Sequence, residues 1–187
     1  MTNNSDINHR RSIRLKDYDY SQTGGYFVTI CTQNRQCLFG EIIDGQILLN
    51  EAGRMVQRVW DEIPGNYPGI ETDVFIVMPD HIHGIIMIVG AGPCACPDEG
   101  QPRGVAPTMS LSDVVHRFKT MTTKRYTDGV KRCGWRSYPG RLWQRNYFDR
   151  VIRNEKELDQ IREYIFDNPE KWEIDGDKTE IFIPKES

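Results

Sequence analysis

The chain has 187 residues, 38% hydrophobic and 27% charged, about one domain's length with enough apolar material for a core. No run nears the roughly 18 apolar residues of a membrane span. The N-terminus carries no apolar signal core, and five irregularly spaced cysteines suit reduced thiols better than a disulfide framework, so a cytoplasmic protein without membrane partners is expected.

The net charge of −3 conceals segregation. Val114–Arg153 holds eleven Lys or Arg against Asp128 and Asp149, and residues 1–16 hold Arg10, Arg11, Arg14 and Lys16 against Asp6. Aromatics interleave with the first set: Phe118, Tyr126, Trp135, Tyr138, Trp143, Tyr147 and Phe148. Cations that hold phosphates beside rings that stack on bases point to nucleic acid, whereas the bland alternative is a solvated basic face.

In chain order, Tyr26–Gln33 is β-branched and aromatic and predicts a strand. "LFGEIIDGQILLN" predicts a hairpin turning at Asp44-Gly45. Asn50 caps a helix running to about Ile63, with Met55, Val59 and Ile63 on one face. Glu71–Met78 and His81–Val89 predict two strands either side of a Pro79-Asp80 break. Residues 90–108 form a Gly/Pro-rich linker inside the domain, and its Cys94 and Cys96 lack the second pair a zinc site needs. Ser110 or Ser112 opens a helix to about Tyr126, Leu142–Ile152 reads as extended, and Asn154 caps a last helix that Asn168-Pro169 ends. With strands around hairpins and helices between, the class is α+β with a mainly antiparallel sheet and flanking helices.

Two of the four histidines stand in "VMPDHIHGIIMI". On a strand His81 and His83 share a face and Ile82 takes the other, so two imidazoles can converge on one cation. Satisfied core or polar surface is the competing reading. In the last helix Tyr164 and Asn168 are four apart and so share a face, pairing a phenol nucleophile with an amide oxygen. A core tyrosine is the plain alternative. Tyr147 is a second candidate nucleophile, although position 151, four residues on, is Val. A nucleotide hydrolase with alternating histidines would need a third at position 85, which is Ile.

"MPDHIHGI", "LWQRNYFDRVIRNEKEL" and "YIFDNPEKW" together resemble the single-tyrosine transposases of the HUH superfamily, in particular the REP-associated branch. The resemblance spans about Gly25 to Trp172 and implies a ferredoxin-like, HUH-type sandwich over a single domain, 1–187, with a basic arm at 1–24. It implies that His81, His83 and Asn168 hold Mg²⁺ or Mn²⁺, that Tyr164 attacks a phosphate, and that a 5′-phosphotyrosine link follows. The implied partner is single-stranded DNA with hairpin or palindromic repeats, contacted by Arg10, Arg11, Arg14, Arg117, Lys119, Arg145, Arg150 and Arg153. The family leaves monomer and homodimer both open. A protein of the same fold that binds DNA without cutting it is the alternative.

Overall fold

The computed structural model describes residues 19–89 and 109–175. The arm residues Arg10, Arg11 and Arg14 and the linker 90–108 lie outside the described residues.

Near-continuous apolar runs build the inner strands of the central sheet. Strands β1 (Gly24–Cys31), β4 (Ile70–Val77), β5 (His81–Ile88) and β6 (Phe148–Ile152) form it in the order β4-β5-β1-β6, every pairing antiparallel. Between β1 and β4 come a separate hairpin, β2 (Gly40–Ile43) with β3 (Gln46–Leu49), and the helices α1 (Glu51–Asp61) and α2 (Ile63–Asn66). Asp44 and Gly45 at the hairpin tip both take positive φ, 51° and 71°, as a tight primed turn requires.

The long helix α3 (Leu111–Cys133) follows the linker. Ser110 caps it in a reciprocal box with Asp113, and it continues seven residues past the expected end at Tyr126 before left-handed Gly134 stops it. Asn154 caps α4 (Glu155–Phe166), accepting from Glu157 N at 2.8 Å. Asn168-Pro169 corrects the expectation for this region. The helix it was expected to end does stop just before it, at Phe166. That helix is not the last, since Asn168-Pro169 opens a further helix, α5 (Asn168–Asp175), proline being tolerated in a first turn. Tyr164 and Asn168 therefore sit on successive helices. Pro64 behaves likewise and begins α2.

The sheet has a core on each face. Tyr26, Val28 and Ile30 of β1 and Ile82, Ile86 and Ile88 of β5 join α1 and α3 in the larger cluster. Phe27 and Ile85 pack on Ile161 and Ile165 of α4 in the smaller one. Phe118, Tyr126 and Trp143 are buried in the larger cluster, Trp143 only 4% exposed with Nε1 donating to Thr122 Oγ1 at 2.8 Å. That corrects Trp143 as a base-stacking surface, since its ring faces core.

Candidate active site

His81 and His83 open β5 on the face that α4 covers, and both are fully buried. Ile82 between them enters the opposite core. The ring nitrogens meet, with His81 Nε2 3.0 Å from His83 Nε2. Their outer nitrogens are anchored. His81 Nδ1 lies 2.7 Å from Asp80 Oδ1, and His83 Nδ1 lies 2.8 Å from Thr29 Oγ1, whose residue is its register partner on β1.

Further side chains enclose the pair. Phe27 stacks on His83 with centroids 5.5 Å apart, and Trp172 of α5 stacks on His81 at 5.3 Å. Arg35 follows β1 and has a positive φ of 55°. Its Nε is 2.8 Å from Asp80 Oδ2, its Nη1 donates to Cys31 Sγ, and its guanidinium lies 6.0 Å from the Trp172 ring centroid. The Arg35–Asp80 approach is an ion pair without hydrogen-bond alignment, since Asp80 Oδ2 has no hydrogen-bond partner among the described residues.

Burial lowers the His81 pKa to about 3, with Arg35 acting in the same direction and hydrogen bonding to the Asn168 side chain opposing. Burial, then His81 and Arg35, hold His83 well below the imidazole range. Both rings are therefore neutral, and the Asp80–His81 contact is a hydrogen bond from a neutral imidazole to a carboxyl group. Burial pushes Asp80 up to about 6, against the pull of Arg35.

Tyr164 reaches the same place from α4. Its half-buried ring stands edge-on to His83 at 5.3 Å and to Phe27 at 6.0 Å, with Lys171 Nζ 5.8 Å from its centroid. Asn168 is 8% exposed and bonds His81. Four residues named from the sequence thus come together: His81, His83, Tyr164 and Asn168. Tyr147 does not join them. It packs with the cluster on the α1/α3 face, under Lys119 Nζ at 5.2 Å from its centroid.

The donor set fits a divalent cation. Neighbouring ligands around a small octahedral ion lie about 3 Å apart, which is the spacing of the two Nε2 atoms. Among the described residues no three His, Cys, Asp or Glu side chains converge, so the third protein donor would be the Asn168 amide oxygen.

The basic residues named from the sequence behave differently from one another. Arg117, Arg145 and Arg153 are exposed. Lys119 Nζ donates to the carbonyls of Gln144, Arg145 and Asn146, and Arg150 Nε pairs with Glu157 Oε1 at 2.6 Å. Sequence reasoning did not single out Asp80, Thr29, Arg35 or Trp172. Only Asp80, beside His81 in the chain, offered a signal.

Comparisons with known proteins bear on the family and the fold. A family model described as "Transposase IS200 like" matches residues 104–168, which include Tyr164 and Asn168. An uncharacterized protein of Haemophilus influenzae (strain ATCC 51907 / DSM 11121 / KW20 / Rd) is 41% identical over 182 residues, 92% of this chain and 94% of that one. A solved REP-associated tyrosine transposase bound to a REP hairpin shares the fold, with a TM-score of 0.52 and 21% identity over 84% of this chain and 73% of that one. The antiparallel sheet with its flanking helices is the fold of that solved structure, and by the family-model match the chain belongs to the IS200-like transposase family.

Proposed function

We propose that this transposase cleaves and rejoins single-stranded, hairpin-bearing DNA through a covalent 5′-phosphotyrosine at Tyr164. One observation carries the reading. Two neutral imidazoles with facing Nε2 atoms 3.0 Å apart lie beside a tyrosine ring 5.3 Å from one of them. Support for the hairpin comes from the solved neighbour, which is bound to one.

His81, His83 and Asn168 would hold Mg²⁺ or Mn²⁺. When bound, the cation supplies charge withdrawal from a phosphate oxygen. The remaining work belongs to the chain. Tyr164 Oη attacks phosphorus, the P–O3′ bond breaks, the phenolic proton leaves, and the departing strand ends in a 3′-hydroxyl. Lys171 Nζ lies 5.8 Å from the Tyr164 ring centroid. Attack by a 3′-hydroxyl on the tyrosine link reverses the step and joins strands without ATP. Phe27 and Trp172 cover the two rings and restrict water. Exposed Arg117, Arg145 and Arg153, with the arm residues Arg10, Arg11 and Arg14, would grip phosphates. In this reading residues 1–187 are one transposase domain, with a basic arm at 1–24 and an internal linker at 90–108.

The test is incubation with labelled hairpin single strand and Mn²⁺, followed by denaturing gels. A band resistant to SDS that EDTA removes is expected. DNA binding with no such band would favour a DNA-binding protein that does not cut, and full yield in EDTA would remove the cation from the mechanism.

A further inference from the structure

A cation held between His81 and His83 needs a lone pair on both Nε2 atoms, and a neutral imidazole has only one. Each ring must therefore carry its proton on Nδ1. What faces each Nδ1 then decides whether the site can form. Asp80 Oδ1 faces that of His81 at 2.7 Å, and Thr29 Oγ1 faces that of His83 at 2.8 Å.

The two partners differ in kind. A carboxylate only accepts, so it holds His81 with Nδ1 as donor and leaves Nε2 bare. A hydroxyl can donate or accept, so it tolerates either form of His83. With His81 Nε2 bare, the 3.0 Å contact between the rings is His83 Nε2–H donating, and Thr29 donates to His83 Nδ1. We propose that Asp80 and Thr29 are positioning residues for cation binding: Asp80 fixes the His81 tautomer, and the Thr29 hydroxyl reverses its role so that the His83 proton moves from Nε2 to Nδ1.

The surroundings fit that division. Asp80 is fully buried, and Arg35 stands at its second oxygen. Arg35 also lies by Trp172, which covers His81 and belongs to the helix that opens with Asn168. The Asp80 carboxyl is thus part of a packed unit that joins the β1 end, the β5 start and α5. Thr29 is buried on β1, and its hydroxyl needs only to rotate. Ligand imidazoles generally depend on such outer partners, whose loss weakens metal binding about 10- to 100-fold.

This inference rests on the cation reading above, and its test separates the two. Full-length protein is studied in EDTA and with Mg²⁺ by ring ¹H–¹⁵N correlation, and Mn²⁺ affinity is measured by electron paramagnetic resonance. Wild type should show His81 protonated on Nδ1 in EDTA, and His83 moving from the Nε2–H to the Nδ1–H form with Mg²⁺. Asp80→Ala should lose the His81 preference, and Thr29→Val should block the His83 exchange. Each should weaken Mn²⁺ about 10- to 100-fold, with melting curves reporting the fold; if Asp80→Ala does not fold, Asp80→Asn takes its place. Unchanged tautomers, unchanged affinity in both variants, or a wild type that takes up no Mn²⁺ would overturn the proposal. If tautomers and affinity follow expectation but no DNA adduct forms, it is the strand-transfer reading that fails.

Discussion

His83 is fully buried and neutral, and that makes it a stability determinant as well as a candidate ligand. An unfolded histidine titrates near 6.5, whereas His81 in the fold is lowered to about 3 and His83 well below its usual value. Between those limits the unfolded chain takes up protons that the folded pair refuses, so stability falls as pH drops through the window. Asp80 works the other way. Its folded value of about 6 exceeds the usual 3.8, so its contribution falls as pH rises between them. Two histidines outweigh one aspartate. The urea midpoint of metal-free protein should therefore decline from about pH 7 to about pH 4.5, and His83→Asn should flatten the decline. A midpoint that rises toward acid would contradict the assignment. Sequence alone pointed to the two histidines through strand periodicity and to Tyr164 and Asn168 through their four-residue spacing, although these last two stand on successive helices. It did not reveal Thr29, Arg35 or Trp172, which arrive from other segments and have no local pattern.

At the scale of the element, sequence order and spatial order diverge in α3. Cations and aromatics interleave along residues 117–126, which suggested a mixed binding surface. On a helix, that interleaving becomes separation. Phe118 and Tyr126 turn into the core while Arg117 and Lys124 stay exposed. The strands were more legible, since β1 and β5 are near-continuous apolar, β-branched and aromatic runs buried on both faces. One position in β5 carries a packing demand of its own. A Cβ on Gly84 would stand 2.6 Å from two atoms of the Trp60 ring and 2.8 Å from Phe75 Cδ2. Trp60 and Phe75 stack at 4.2 Å, so neither ring can give way alone. Gly84→Ala should therefore cost about 1–3 kcal/mol in urea unfolding, the usual range for overpacking. The strand that would shift also carries His83. A variant as stable as wild type would mean that this face is looser than described.

At the scale of the whole molecule, charge segregation survives folding, though in reduced form. Of the eleven Lys and Arg in Val114–Arg153, Arg125 pairs with Glu62, Arg150 pairs with Glu157, and Lys119 binds three carbonyls. The other eight are exposed. Affinity for single-stranded DNA should fall linearly with salt on logarithmic axes, by roughly 0.7 per phosphate contact, with about four to eight contacts in play. A flat response would reduce the basic segment to a solvated face. The proposed chemistry turns on Tyr164 as the nucleophile. Its position at the histidine pair, with Tyr147 packed across the sheet, ranks the two tyrosines. The most direct measurement compares wild type, Tyr164→Phe and Tyr147→Phe for SDS-resistant adducts on labelled hairpin DNA with Mn²⁺, with DNA binding measured alongside. Tyr164→Phe is expected to bind DNA within about twofold of wild type, since little packing changes, and to form no adduct, while Tyr147→Phe still forms it. An adduct that persists in Tyr164→Phe and vanishes in Tyr147→Phe would contradict that role for Tyr164.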